Sequence, residues 1–400
     1  MTAVFSGRLV AAGAQTLTVL LLARLSTPQD FGLVIGVQSA VIALTWILGF
    51  GLGPYMSVVR AREPDSVVVH EIHRLNKFVS VGLMVLLTIA LCLSQLWFDH
   101  AWWFFPLILA LGFQRDAAVL NSIAVADGRT RLFSSNLALR RVMALAIFAA
   151  TAFMTVPIAF SFCASIAISE AICNWRLRRG IEFSPVGRPR IHARSILRDS
   201  KHYWMDTVGG QLRMLDVAVA GVVMGPVASG LMAVPSKIAS PIMLIPTSLA
   251  TLLLPRTSAR GSISRSEFMI GAALATSAIA VILVGVGVYA EMIIVFMLGE
   301  QFQEAVAVTR IYFVGFICLS MIYMINAAMQ GLKLGPLVSR ASIGGSVLSL
   351  CGLCLGGFYG GLESAAMGYV MGIGIQLIAL VALWRGRPSG GITRDVKELG

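Results

Sequence analysis

LLARLSTPQDFGLVIGVQSAV, residues Leu21–Val41, carries two apolar runs joined by a short polar hinge that contains Pro28, Asp30 and Gly32. Proline starts a helix readily and cannot continue one, so this pattern reads as one helix ending and another beginning. The device recurs downstream as VAGVVMGPVASGLMAVPSKIA, residues Val219–Ala239. Pro28 matches Pro226, Gly32 matches Gly230 and Leu33 matches Leu231, all at an offset of 198. A second echo, VADGRTR at 125–131 against AMQGLKL at 328–334, places a glycine and then a cation at an offset of 203. Two echoes at nearly equal offsets predict a duplicated unit.

Composition says where that unit resides. Of 400 residues, 57% are hydrophobic and 12% charged, and mean hydropathy is +0.84, whereas soluble proteins are about a quarter charged. Windows such as FMIGAALATSAIAVILVGVGVYA (268–290) are long enough to cross a bilayer as helices. Continuous hydrophobicity, rather than alternation, excludes a β-barrel. The predicted fold is an all-α integral membrane protein of about twelve transmembrane helices in two pseudo-symmetric six-helix bundles. The spans are predicted at 4–24, 31–57, 75–96, 102–125, 133–154, 157–176, 201–224, 228–253, 267–290, 304–328, 335–358 and 363–384. The domain reading is an N-terminal lobe at 1–176, a basic cytoplasmic linker at 177–200, a C-terminal lobe at 201–384 and a cytoplasmic tail at 385–400. The first apolar run is read as an uncleaved helix.

Charge placement orients the bundle. With both termini cytoplasmic, the inner loops collect Arg60, Arg62, Arg74, Arg129, Arg131, the run from Arg176 to Lys201, Arg256, Arg260, Arg265, Lys333 and the tail cations. The outer loops hold Asp99, Glu291, Glu300 and Glu363, with Arg24 the main exception, in line with the positive-inside rule. The net charge of +12 therefore reflects topology and anionic lipid headgroups rather than nucleic-acid binding. Arg190, Arg194 and Arg198 fall on one helical face of the linker, which reads as a basic surface helix. An even number of spans per unit keeps both units in one orientation, related by an axis along the membrane normal, as in many secondary transporters.

The stretches LLARLSTPQDFGL, MLDVAVAGVVMGPVASGLMAVPSKI (214–238) and IIVFMLGEQFQEAVAVTRI (293–311) resemble the polysaccharide flippases of the O-antigen (Wzx) type, within the multidrug/oligosaccharidyl-lipid/polysaccharide exporter superfamily. Ser26 and Thr27 depart from the Leu-Gly pair expected at that turn. The resemblance implies alternating access and a polyprenyl-diphosphate-linked oligosaccharide as cargo, for surface polysaccharide biosynthesis at a bacterial inner membrane.

Charges inside the spans carry the site prediction, because each costs roughly 2.5–3.5 kcal/mol at the bilayer centre. Counting 1.5 Å per residue from the outer turn near 225 puts Arg213 about 17 Å deep, Asp216 about 13 Å and Lys237 about 15 Å. Arg213 and Asp216, three apart, are expected to share a face and to be able to pair. Two cations to one acid would suit an anionic substrate. Arg115 and Asp116, adjacent, are expected to point apart, one into the lumen and one toward a neighbouring helix. Arg8 reads as a snorkelling cation or a headgroup entry contact. Substrate binding is thus assigned to Arg213, Lys237, Arg115 and Arg8, and proton or sodium coupling to Asp216 and Asp116. Glu170 and Asp206 read as solvated interfacial acids, and Gln15, Gln38, Asn121, Asn326 and Gln376 as interhelical hydrogen bonders.

Enzymatic readings find little support. CGLC at Cys351–Cys354 lies in an apolar span with no histidine or acid beside it. HEIHR at 70–74 reads as a basic loop without metalloprotease spacing. No P-loop pattern occurs, and no cofactor is expected. A multidrug exporter of the same superfamily would favour acids over cations in its cavity; a glycan polymerase or ligase would carry a large outer loop.

Overall fold

A computed structural model describes residues 2–63, 66–96, 101–154, 156–181, 193–260, 265–332 and 334–386. They form α1 (Thr2–Leu25), α2 (Pro28–Ile47), α3 (Leu52–Arg62), α4 (Val67–Ser94), α5 (Phe105–Ala126), α6 (Thr130–Thr151), α7 (Ile158–Gly180), α8 (Ala193–Leu212), α9 (Asp216–Met224), α10 (Pro226–Arg260), α11 (Arg265–Val288), α12 (Ala290–Leu298), α13 (Ala305–Gly331) and α14 (Gly335–Arg385). No strand occurs among the described residues. Among the described residues, eleven helical stretches are long and apolar enough to cross a membrane.

The last of these, α14, has 51 residues and one left-handed residue inside it, Gly361 at φ 74°. Glycine enters that region without steric cost. On either side of it Gly352 packs on Gly368, Gly356 on Ser364 and Gly345 on Gln376. The two arms are therefore antiparallel and touch through small residues, and α14 crosses twice. The twelve crossings and two six-helix bundles expected from the sequence are present.

Several boundaries differ. The single span predicted at 31–57 is broken: α2 ends at Ile47, and the chain turns through Phe50 (φ 50°) and Gly51 (φ 66°) into α3. HEIHR is not a loop but lies on the first turns of α4, where the Ser66 hydroxyl accepts the Val68 N–H at 3.4 Å. The linker is shorter than 177–200, since α7 runs to Gly180 and α8 begins at Ala193. Arg190 lies outside the described residues; Arg194 and Arg198 are exposed on the first turns of α8. The tail from 387 onward is likewise outside them.

Both hinges begin a helix on proline. Before α2, Thr27 is extended (ψ 159°), its hydroxyl accepts from the Asp30 N–H at 3.2 Å and donates to the Asp30 carboxylate at 2.8 Å. That is a side-chain cap of the kind worth about 1 kcal/mol. Before α10 the turn is made instead by Gly225 at φ 92°. The hinges then pack on each other. A methyl group on Gly32 would overlap the Pro226 carbonyl oxygen and stand 2.5 Å from the Gly230 nitrogen; one on Gly230 would overlap the Pro28 carbonyl oxygen. The Ser229 hydroxyl, beside this contact, lies 3.0 Å from the Gly32 carbonyl and 2.9 Å from that of Val217.

Around this contact one apolar core runs through both bundles, from Leu22, Phe31 and Phe162 to Leu231, Ile294 and Phe302. Phe31 and Phe302 meet edge to face at 5.4 Å. Arg24, the charge exception of the outer loops, donates to the Phe296 and Met297 carbonyls at the end of α12, where a cation complements the helix dipole. Toward the opposite end, where Arg60, Arg129 and Arg176 lie, the cores are separate. Leu52, Ile72 and Leu120 centre one; the other, with Ile322 and Trp384, is the end of a core that continues along the C-terminal bundle to Ala220 and Ala365. The bundles touch there through aromatic pairs, Phe50 with Trp204 and Tyr55 with Tyr203. Gly51 has to be glycine, since a side chain would collide with the Tyr203–Trp204 backbone.

Candidate functional site

The span carrying Arg213 and Asp216 is not one continuous helix. A 3₁₀ turn at Arg213–Leu215 separates α8 from α9, which opens a break at mid-depth and leaves Asp216 in the first turn of α9. The buried Asp216 carboxylate accepts the Val217 N–H at 2.8 Å and the Tyr312 hydroxyl at 3.4 Å. Nearby backbone N–H groups at a helix start favour an anion. Among the described residues no ion pair joins Asp216 to Arg213. The Arg213 guanidinium lies 6.0 Å from the Tyr323 ring, its carbonyl accepts the Tyr369 hydroxyl at 3.0 Å, and its Nη1 is buried without a hydrogen-bond partner. The expected pair does not form even though the 3₁₀ turn keeps residues three apart on one face: Asp216 is taken up by Val217 and Tyr312, and Arg213 lies beside Tyr323 of the same bundle.

Lys237, eleven residues into α10 and so about 17 Å from the hinge, is half-buried and interacts electrostatically with Asp216 and with Arg141 of α6. Lys237 and Arg141 belong to different bundles, and neither side chain has a hydrogen-bond or ion-pair partner among the described residues. Arg141 lies eleven residues into α6, again about 17 Å from its end. Sequence reasoning did not single out Arg140 and Arg141, although counting residues along the span, as was done for Arg213, places them at half-depth. Arg140 differs from its neighbour in being paired: its Nη1 lies 3.1 Å from Glu170 of α7, a residue only 2% exposed. Glu170 is thus a buried ion-pair partner and not the solvated interfacial acid expected. The Asp206 side chain lies outside the described residues.

Arg115 and Asp116 do not divide between lumen and neighbour. They are 5% and 4% exposed, both inside the N-terminal bundle. Arg115 donates from Nε to the Ser80 hydroxyl at 3.0 Å, from Nη1 to the Thr45 carbonyl at 2.9 Å and from Nη2 to the Asn76 side-chain oxygen at 3.2 Å. All three guanidinium nitrogens are occupied by neutral protein acceptors. Asp116 is held by Arg178 at 2.9 Å and Asn174 at 3.0 Å, with His73 at 3.8 Å. These contacts tie α4, α5 and α7 together. Arg115→Lys keeps the charge but not the planar fork; losing two charge-assisted hydrogen bonds is expected to cost about 3–6 kcal/mol, read as an earlier thermal transition in detergent. An unchanged transition would show that the network does not hold the bundle. Arg8 is half-buried on α1 toward the basic end.

Two cavities bear on function. One, of about 310 Å³, extends from Val125 and Phe133 near the basic end to Gln114 and Arg140 at mid-depth, with Trp46, Ser57, Asn121 and Ser122 on its walls. The other, of about 590 Å³, lies toward the hinge end among α12, α13 and α14 and is lined by Glu291, Glu304, Glu363 and Arg310. Neither is lined by Arg213 or Lys237.

A family model described as polysaccharide biosynthesis protein matches residues 21–307. No curated protein matches the sequence. Among solved structures, the chain is similar to a multidrug resistance MATE family transporter of the MOP superfamily in its inward-facing conformation, with TM-score 0.74 and 15% identity over 93% of each chain. A MOP superfamily transporter from Pyrococcus furiosus, whose reversed binding-pocket polarity suggests a different function for it, gives 0.71 and 15% over 96% of this chain and 94% of that one. The lipid II flippase MurJ, inward closed, gives 0.65 and 14% over 96% and 88%. These likenesses establish the fold. The chain belongs to the polysaccharide biosynthesis protein family and is a multi-pass membrane protein.

Proposed function

We propose that this member of the polysaccharide biosynthesis protein family is a flippase, not an enzyme, and that it carries a polyprenyl-diphosphate-linked oligosaccharide across the bacterial inner membrane by alternating access. The observation that supports the reading is a cation at half-depth in each bundle, Lys237 and Arg141, close enough for each bundle's charge to bear on the other. Each bundle contributes one half-buried cation at half-depth, and neither side chain is held in an ion pair among the described residues, although Asp216 lies near Lys237 and Glu170 near Arg141. A diphosphate would satisfy both, whereas the mostly cationic cargo of a multidrug exporter would be repelled. In this reading the basic end is cytoplasmic, both termini included, and Arg8 guides headgroups in. The two bundles, divided near the 177–200 segment, rock about the hinge contact. Asp216, buried beside Lys237, takes the coupling proton or sodium ion, a role Asp116 is less suited to because Arg178 and Asn174 already hold it.

The membrane potential assists such a cargo, since moving one negative charge toward the positive side gains about 2.3 kcal/mol per 100 mV. The test is reconstitution in vesicles that carry a polyprenyl-diphosphate oligosaccharide in one leaflet. The protein is expected to speed its appearance in the other leaflet and to leave a lipophilic cationic dye unmoved. Dye transport without glycolipid transfer would refute the assignment.

A further inference from the structure

Resting on the flippase reading, we propose that the 310 Å³ cavity lined by Trp46, Ser57, Gln114, Asn121, Ser122 and Arg140 is a carbohydrate subsite, separate from the Lys237–Arg141 pair that takes the diphosphate. Its chemistry is that of a sugar site. Arg140 brings a cation, but Glu170 at 3.1 Å cancels it, so the walls are polar without net charge. Two planar amides and two hydroxyls supply both donors and acceptors, the mixture that sugar hydroxyls require. Trp46 adds a flat apolar face for the C–H side of a pyranose ring. Two side chains that line it, Asn121 and Arg140, each keep one buried polar atom, Oδ1 and Nε, without a hydrogen-bond partner among the described residues. Buried polar groups left unpaired are costly, and a ligand that pairs them gains that energy back. The volume falls at the lower end of the range of about 300–1,000 Å³ for small-ligand sites.

Helix α6 supplies the link to the diphosphate. Arg140 lines the cavity, and Arg141, the next residue, is half-buried at the same depth as Lys237 and acts on it electrostatically. Adjacent residues on a helix point about 100° apart, so one turn of α6 is the wall between the two subsites. A headgroup seated with its diphosphate on Arg141 and Lys237 would therefore place its first sugars beside Arg140, on the side of α6 that opens toward the basic end.

The test uses the full-length protein in nanodiscs and two ligands: the lipid-linked oligosaccharide that accumulates in cells whose copy of the gene is disrupted, and undecaprenyl diphosphate without sugar. Asn121→Leu and Trp46→Ala are each expected to weaken oligosaccharide binding about tenfold, the loss of one or two neutral hydrogen bonds or their equivalent in stacking. Affinity for undecaprenyl diphosphate stays at the wild-type value, which also certifies the fold of each variant. Lys237→Ala lowers the affinity for both ligands. Equal loss for both ligands in Asn121→Leu and Trp46→Ala, or no loss in either, overturns the subsite while leaving the flippase reading intact. If disruption of the gene traps no lipid-linked sugar, the flippase reading falls and the subsite falls with it.

Discussion

Gly32→Ala is expected to slow transport by about 5- to 150-fold without unfolding the protein. The added methyl group would overlap the Pro226 carbonyl oxygen and lie 2.5 Å from the Gly230 nitrogen. Both are backbone atoms, so no side-chain rotation relieves the clash, and the two hinges have to separate. Overpacking of this kind costs about 1–3 kcal/mol. The contact is between bundles, so the penalty falls on the hinge-closed arrangement and hardly touches the core within each bundle. A penalty confined to one of two states shifts their ratio by about tenfold for each 1.4 kcal/mol. Gly230→Ala should act alike, because its methyl group meets the Pro28 carbonyl in the same way. Thiol labelling gives the structural readout. A cysteine placed at Ser229, which is 1% exposed, should be protected in the parent and should react with a water-soluble maleimide once Gly32 is alanine. Wild-type transport together with a protected cysteine would show that the hinge contact takes no part in the cycle.

Lys237→Ala and Arg141→Ala are each expected to weaken cargo binding by about 10- to 150-fold, the worth of one charge-assisted hydrogen bond at about 1.5–3 kcal/mol. The double variant should lose more than either single one. Lys237→Arg, which retains a cation at the same depth, should recover most of the affinity. Binding of undecaprenyl diphosphate to the purified variants is the direct measurement, with vesicle transport as the second. Rising salt should weaken the wild type and leave the double variant nearly insensitive, since a half-buried cation pair is partly screened. Full affinity in the double variant would remove the central observation behind the proposed function.

The sequence disclosed the fold because the fold is written in long-range composition. Twelve apolar runs and a proline–glycine hinge repeated at an offset of 198 require only that greasy helices cross a bilayer and that proline begins them. The site was only partly legible. Arg115 and Asp116 stand next to each other, yet what binds Arg115 is Thr45, Asn76 and Ser80, three unremarkable residues that lie 35–70 positions away and share no pattern. The 3₁₀ turn at Arg213–Leu215 contains no proline, and nothing in the local sequence announced that tyrosines of α13, Tyr312 and Tyr323, would take up Asp216 and Arg213 separately. Arg140 and Arg141 were available to the same depth count that picked out Lys237. That Arg140 and not Arg141 forms the ion pair depends on where Glu170 of α7 lies, and no reading of α6 by itself supplies that.

The packing of Pro28 on Gly230 and of Pro226 on Gly32 has the form of a dyad in a homodimer, where one patch meets its own copy and each residue is answered by its counterpart. An ancestral chain of half this length, with a single such turn, would close against a second copy of itself through the same four residues. Fusion then needed no new surface to be invented. Such a joint constrains the prolines and glycines that meet in it and leaves the two halves free to differ elsewhere, as they do in Arg140 and Arg141 on one side and Asp216 and Lys237 on the other.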